Sequence, residues 1–223
     1  MPQLLIVNPN TTVAVTELLA GHAQALAPAG ARLHALTAPF GAAYIASPEA
    51  AAVAAQAVPA AWATHVAVHG QPDAVLVACF GDPGVDALRA LTDRPVLGLA
   101  EVAMREAARH GRYAIVTGGA AWKPMLEALA RQRGLQTDLA GVVTVERTGA
   151  ELMADPVAAQ ALLLDACHQA LALGGVRTIV IGGAALADLA APLAPLLPVP
   201  LIDNVRLGLQ TAWHAACGVV GSR

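Results

Sequence analysis

The chain carries the same message twice. Val7-Asn8 corresponds to Val116-Thr117, Cys79 to Gly183, and Pro95-Val96-Leu97 to Pro200-Leu201-Ile202, at separations of 109, 104 and 105 positions. Such even spacing across three strand ends points to two related βα units in tandem. A repeated strand–helix alternation leaves few options for the fold. Each helix must carry the chain back to the same edge of its sheet, which gives parallel strands and right-handed crossovers. In sheets of this kind ligands bind beyond the carboxyl ends of the strands. Asn8, Cys79, Thr117 and Gly183 all fall at those ends.

The alternation can be followed residue by residue. LLIV (4–7) reads as a strand that stops at Asn8-Pro9-Asn10, after which Thr11 or Thr12 can cap a helix. ARLHALTA (31–38) is a second strand, and Ser47-Pro48-Glu49 opens a long alanine-rich helix. AVLVACF (74–80) is too apolar on both faces to lie at an edge, and RPVLGLA (94–100) is the fourth strand of this half. A helix from Glu101 to about Arg109 follows. The second half predicts strands at 113–119, 141–146, 178–184 and 198–205, and helices over 123–133, 156–173 and about 206–217. The expected fold is α/β, with two pseudo-symmetric three-layer lobes, each built on a parallel four-stranded sheet. Residues 1–98 plus 206–223 form the first lobe and residues 99–205 the second, with the site in a cleft between them.

Composition narrows the function. Charged residues make up 13% of the chain, Lys123 is its single lysine, and the formal net charge is -3. Nucleic acid and anionic membrane surfaces are therefore not expected partners. Hydrophobic residues reach 57%, but the most apolar segment, 179–202, holds Pro192, Pro195, Pro198 and Pro200 and cannot make a spanning helix. MPQLLIVNPN has no basic stretch ahead of an apolar one, so no signal peptide is expected. The chain reads as a cytoplasmic protein that acts on a small molecule. Its apolar excess favours a homo-oligomer.

Cys79 is the expected catalytic residue. It follows a strand, precedes Gly81-Asp82-Pro83-Gly84, and stands near a helix start, where the local dipole would favour the thiolate. A covalent-nucleophile elbow is the weaker reading, because Gly81 suits it and Val77 does not. Cys167 and Cys217 lie among helical alanines and read as structural. Gly118-Gly119 and Gly182-Gly183 either let backbone N–H groups approach an anion, with a carboxylate favoured over a nucleotide, or are simply tight βα turns. Asn8 and Thr117 are favoured to touch substrate, the alternative being an Asx-turn at Asn8 and a cap at Thr117, while Asp82 is read only as a helix cap. The expected binding set is Asn8, Asn10, Thr11, Phe80, Gly81, Thr117, Gly118, Gly183 and Ala184. His65 and His69 share a helix face but lack an evident third ligand, so no metal is expected.

NPNTT (8–12), ACFGDPG (78–84), VT (116–117) and IGGA (181–184), in matched halves, resemble the aspartate/glutamate/hydantoin racemase superfamily, and within it the hydantoin and allantoin racemase branch. The resemblance covers essentially the whole chain. It implies two lobes around a cleft, no cofactor, and one cysteine per lobe on opposite faces of the substrate α-carbon. One thiolate takes the α-proton and the other thiol returns a proton from the far side. Cys79 matches the first of these, whereas the second family cysteine falls on Gly183. A glycine holds no proton. The reading is a racemase or epimerase acting on an amino acid, hydantoin or related small carboxylate. A single-cysteine decarboxylase or isomerase, or a non-catalytic carboxylate binder, is the alternative. Gly183→Cys is the substitution expected to restore the second thiol.

Overall fold

A computed structural model describes residues 1–218. Residues 219–223, assigned above to the first lobe, lie outside the described residues. The chain divides into two compact units: Met1–Leu99 together with the segment from Gly208 onward, and Ala100–Leu207.

The first unit runs β1 (Gln3–Asn8), α1 (Val13–Ala25), β2 (Arg32–Thr37), α2 (Pro48–His69), β3 (Ala74–Val77), α3 (Val85–Arg89) and β4 (Val96–Gly98). Its four strands are parallel in the order β2-β1-β3-β4. The two central strands are apolar on both faces because both faces are covered. Leu4, Leu5, Ile6 and Val7 are fully buried, as are Val75, Leu76 and Val77. One core cluster joins Leu5, Val7, Val75 and Val77 to Val58 and Ala61 of α2 and Val85 and Leu88 of α3.

α2 is the one described helix long and apolar enough to cross a membrane. It is instead a core helix, with Ala54, Ala57, Val58, Ala61 and His65 buried. Ser47 caps it by accepting from the Ala50 N–H at 3.2 Å, and Pro48 occupies its first turn as the sequence predicts.

The second unit repeats the plan. α4 (Leu99–Arg109) leads into β5 (Tyr113–Gly118), α5 (Trp122–Gln132), β6 (Leu139–Val145), α6 (Gly149–Ala154), α7 (Pro156–Leu171), β7 (Thr178–Gly182), α8 (Ala190–Leu193) and β8 (Leu201–Asp203). Its strand order, β6-β5-β7-β8, is the first sheet's order displaced by four strands, and every pairing is again parallel. α9 (Asn204–Ala216) follows, and its Trp213 indole N–H donates to the Ala23 carbonyl at the end of α1 at 2.9 Å. That bond ties the C-terminal part of α9 into the first unit.

Two segments differ from expectation. Residues 184–196 fold into short helical turns, where no element is expected from the sequence beyond the end of the 178–184 strand. α6 also went unread, although Thr148 and Glu151 form a reciprocal capping box at its start.

Candidate functional site

Strand register puts the repeat on a geometric footing. Val7 pairs with Val77 in the first sheet, and Val116 pairs with Ile181 in the second. Counting two residues beyond each pair brings Cys79 and Gly183 to the same topological position. Val77 also pairs with Gly98, and Ile181 with Asp203, so these two correspond as well.

Cys79 lies just past the carboxyl end of β3 and is 9% exposed. Its carbonyl accepts from the N–H groups of Gly81 and Asp82, at 3.0 and 3.1 Å, closing a tight turn. Asp82 is buried within that turn and holds φ at +53°, a left-handed conformation that aspartate tolerates better than most residues. Its carboxyl group lies over Gly98, where a Cβ would overlap it. Glycine at 98 is therefore what lets the carboxylate occupy this place.

The thiol's electrostatics correct the expectation of an activated thiolate. α3 begins only at Val85, behind a left-handed Gly84, and is five residues long. It supplies no dipole to Cys79. Burial, and after it the charge of Asp82, push the thiol up to about 12. Both effects disfavour the anion, so the resting group is a protonated thiol.

The loop after β1 also departs from expectation. Asn8 is fully buried, and its side-chain amide donates to Asn10 Oδ1 (2.9 Å), the Thr12 carbonyl (3.1 Å) and Thr16 Oγ1 (3.0 Å). Its Oδ1 accepts from the Asn10 N–H at 3.1 Å. These hydrogen bonds lie inside the loop, the Asx-turn arrangement that stands as the alternative to substrate contact. Thr12 precedes α1 without capping it through its side chain, because its hydroxyl bonds the Ala43 carbonyl at 2.7 Å. Asn10, Thr11 and Gly81 remain half-buried, and Phe80 is buried.

In the second unit Thr117 is buried, and its hydroxyl donates across the sheet to the Gly182 carbonyl at 2.7 Å. Its one proton is thereby engaged in joining β5 to β7. Gly118 is buried under the β6–α6 loop, and a Cβ there would come within 2.6 Å of the Arg147 carbonyl oxygen. The N–H of Gly119 donates to the Val145 carbonyl at 2.9 Å. Gly118-Gly119 is thus a tight βα turn and not an anion cradle.

Gly183 is half-buried with φ +135°, and a Cβ there would sit 3.3 Å from Leu186 Cγ. Leu186 stands three residues after Gly183, as Asp82 does after Cys79. Where the first unit pairs a thiol with a carboxylate, the second has no side chain and a leucine. Ala184 beside it is half-buried.

The other two thiols separate. Cys167 is fully buried in the core of the second unit, as expected, and burial pushes it up to about 12. Cys217, read from sequence as structural within a helical pattern, is exposed just beyond the end of α9. The histidines also differ from expectation. β2 brings His34 to His65 and His69 of α2, supplying the third imidazole that spacing along α2 alone did not reveal.

Two sheets of one strand order, with polar and thiol-bearing residues at their carboxyl ends, define a duplicated α/β enzyme fold. Residues 4–212 match the Asp/Glu/Hydantoin racemase family, and the chain belongs to it. It is 32% identical to the hydantoin racemase of Paenarthrobacter aurescens over 211 residues, covering 94% of this chain and 89% of that protein. The structure superposes on allantoin racemase from Klebsiella pneumoniae with a TM-score of 0.88 at 30% identity, over 100% of this chain and 91% of that one. Arylmalonate decarboxylase shares the fold at a TM-score of 0.65 and 17% identity. The chain is an isomerase of the racemase type.

Proposed function

We propose that the protein is a cytoplasmic, cofactor-independent racemase of five-membered cyclic ureides of the hydantoin and allantoin kind, with Cys79 as its proton-transfer group. The observation that carries this reading is the environment of Cys79: a nearly buried thiol at a strand end, held protonated, beside a buried carboxylate. The full-length similarity to hydantoin and allantoin racemases supports the substrate class. Sparse, unpaired cysteines fit a reducing compartment. Exposed Phe40 and Val53 are compatible with self-association into a homo-oligomer.

Racemisation needs a proton removed from one face of the α-carbon and another delivered to the opposite face. Loss of the α-proton leaves a planar carbanion, delocalised into the adjacent carbonyl. The Cys79 thiol gives its proton to that carbon and becomes a thiolate; in the reverse direction the thiolate takes the α-proton and the C–H electron pair stays on carbon. A thiolate raised as far as this one is a strong base, so its desolvation and the Asp82 charge drive proton abstraction once it forms.

Gly183 corresponds in register to Cys79 and is taken here as the position of the family's second thiol. With no side chain there, the opposite-face proton is exchanged with water. Asn8 and Thr117 hold the strand-end loops in shape, while Asn10, Thr11 and Gly81 are half-buried at the strand ends of the first unit and Ala184 at that of the second.

α-Proton exchange in D2O, followed by NMR with polarimetry in parallel, tests the reading on enantiopure 5-substituted hydantoins and allantoin above their spontaneous background. Exchange with inversion is expected, falling by roughly 10³-fold in Cys79→Ser. Full activity in Cys79→Ser would remove the thiol from the mechanism. Exchange with retained configuration would favour a single-face enzyme, the reading that one thiol and no side chain at 183 otherwise suggests.

A further inference from the structure

Three imidazoles meet at the opposite end of the first sheet from Cys79. His34 lies on β2 level with Leu5 of β1, and Leu5 in turn pairs with Val75 of β3. Cys79 is four residues further along that strand direction, roughly 13 Å away along the sheet. His65 and His69 stand one turn apart on the last turns of α2, on the face that continues from Ala61. The ring centroids are separated by 4.7 Å (His34–His65), 4.6 Å (His34–His69) and 5.0 Å (His65–His69). One nitrogen from each ring lies within 4.8 Å of the other two.

His65 makes this arrangement hard to read as packing alone. It is 3% exposed, and neither of its ring nitrogens has a hydrogen-bond partner among the described residues. An imidazole buried with both nitrogens unpaired loses its hydration for nothing in return. Two further imidazoles stand against it. We propose that His34, His65 and His69 form a three-histidine site for a borderline divalent metal ion such as Zn²⁺ or Co²⁺, separate from the proton-transfer site.

The donor set and the geometry fix the chemistry. Three neutral imidazole nitrogens suit Zn²⁺, Co²⁺, Ni²⁺ or Cu²⁺ and offer nothing to Ca²⁺ or Mg²⁺, which take oxygen. At Zn–N lengths of about 2.0–2.1 Å, tetrahedral ligands stand about 3.4 Å apart. The present spacing, within 4.8 Å, has to close by about 1.4 Å at most to reach that.

His65 is buried, His34 half-buried and His69 exposed, so the ion is gripped from below. Its outward side stays open to water or to a ligand from solution. Burial, with the neighbouring histidines, lowers His65 to about 4, and burial foremost lowers His34. Arg32 opposes cation binding, being two residues before His34 on the same strand, but it is exposed and its charge is screened by water.

Titration of the reduced full-length protein with Co²⁺ and Zn²⁺, read by calorimetry and visible absorption, tests the site. One equivalent per chain is expected, with a four-coordinate cobalt spectrum free of thiolate charge-transfer bands. His34→Asn and His69→Asn should each weaken binding by at least about tenfold and leave proton exchange at the substrate unchanged. His69 is exposed, so its variant keeps the test open even where the buried His65→Ala fails to fold. Affinity unaltered in His69→Asn, a thiolate band, or no saturable binding below roughly millimolar metal overturns the site. The readout does not require turnover, so it stands apart from the fate of the racemase reading.

Discussion

Asp82 bears on the chemistry proposed for Cys79, although its sequence context suggested only a helix cap. Its carboxylate keeps the thiol protonated through charge, on top of the larger effect of burial. Asp82→Asn keeps the side-chain shape and tolerates φ +53° but removes the charge. Thiolate should then form at lower pH, although burial still holds it above the usual cysteine range. Alkylation of Cys79 by iodoacetamide, followed by peptide mass spectrometry in a Cys217→Ser background, should show its pH profile displaced to lower pH. More thiolate is then present at neutral pH while each thiolate is a somewhat weaker base, so kcat should rise modestly with little change in KM. An unmoved profile would mean that the carboxylate does not act on the sulfur. Gly183 makes a contrasting case. Gly183→Cys must accept φ +135° and press against Leu186, at an expected cost of about 1–3 kcal/mol. Calorimetry should record a lower Tm, by about 2–4 °C per kcal/mol, and second-face exchange should not rise. A stable variant that gains second-face exchange would refute the steric account.

At the scale of elements, legibility followed periodicity. The central strands declared themselves because a strand covered on both faces must be apolar throughout, as Leu4–Val7 and Val75–Val77 are. α2 was equally plain, since Ser47 and Pro48 mark its start in chemical terms. α6 was missed because six residues carry too little periodicity, even with Thr148 and Glu151 in capping-box spacing. The turns over 184–196 were missed because alanine, leucine and proline in that mixture fit several conformations. In the site, Cys79 and its correspondence to Gly183 could be read from the repeat alone. The protonated state of the thiol could not, because it depends on burial and on a carboxylate folded back over Gly98. The role of Asn8 was hidden for a similar reason: an asparagine that organises a loop and one that binds a ligand look alike until each hydrogen bond has an owner. The histidine cluster was half visible, since His65 and His69 lie on one helix face while His34 arrives from a strand about thirty residues earlier.

For the whole molecule, each unit holds one buried thiol at unrelated positions of the repeat, Cys79 after β3 and Cys167 within α7, and both are raised to about 12. In the unfolded chain these groups ionise near the ordinary cysteine value of 9.0. Between about pH 9 and 12 the native state therefore binds more protons than the unfolded one, and stability falls as pH rises through this window. Below pH 9 both states keep the thiols protonated, and the contribution is complete and flat. Tyr113, raised by burial and then by Asp138, adds a loss of the same sign at the alkaline end. Urea unfolding under reducing conditions should thus give a constant midpoint from pH 7 to about 9 and a declining one above it. Cys167→Ala should lower the midpoint at neutral pH, because it opens a small cavity, and should flatten the alkaline decline. A decline as steep in Cys167→Ala as in the wild type would mean that the thiol buried in the second unit does not hold its proton through folding. The same comparison with Cys79→Ser asks the question of the first unit, and there the answer bears directly on the proton-transfer role proposed for that thiol.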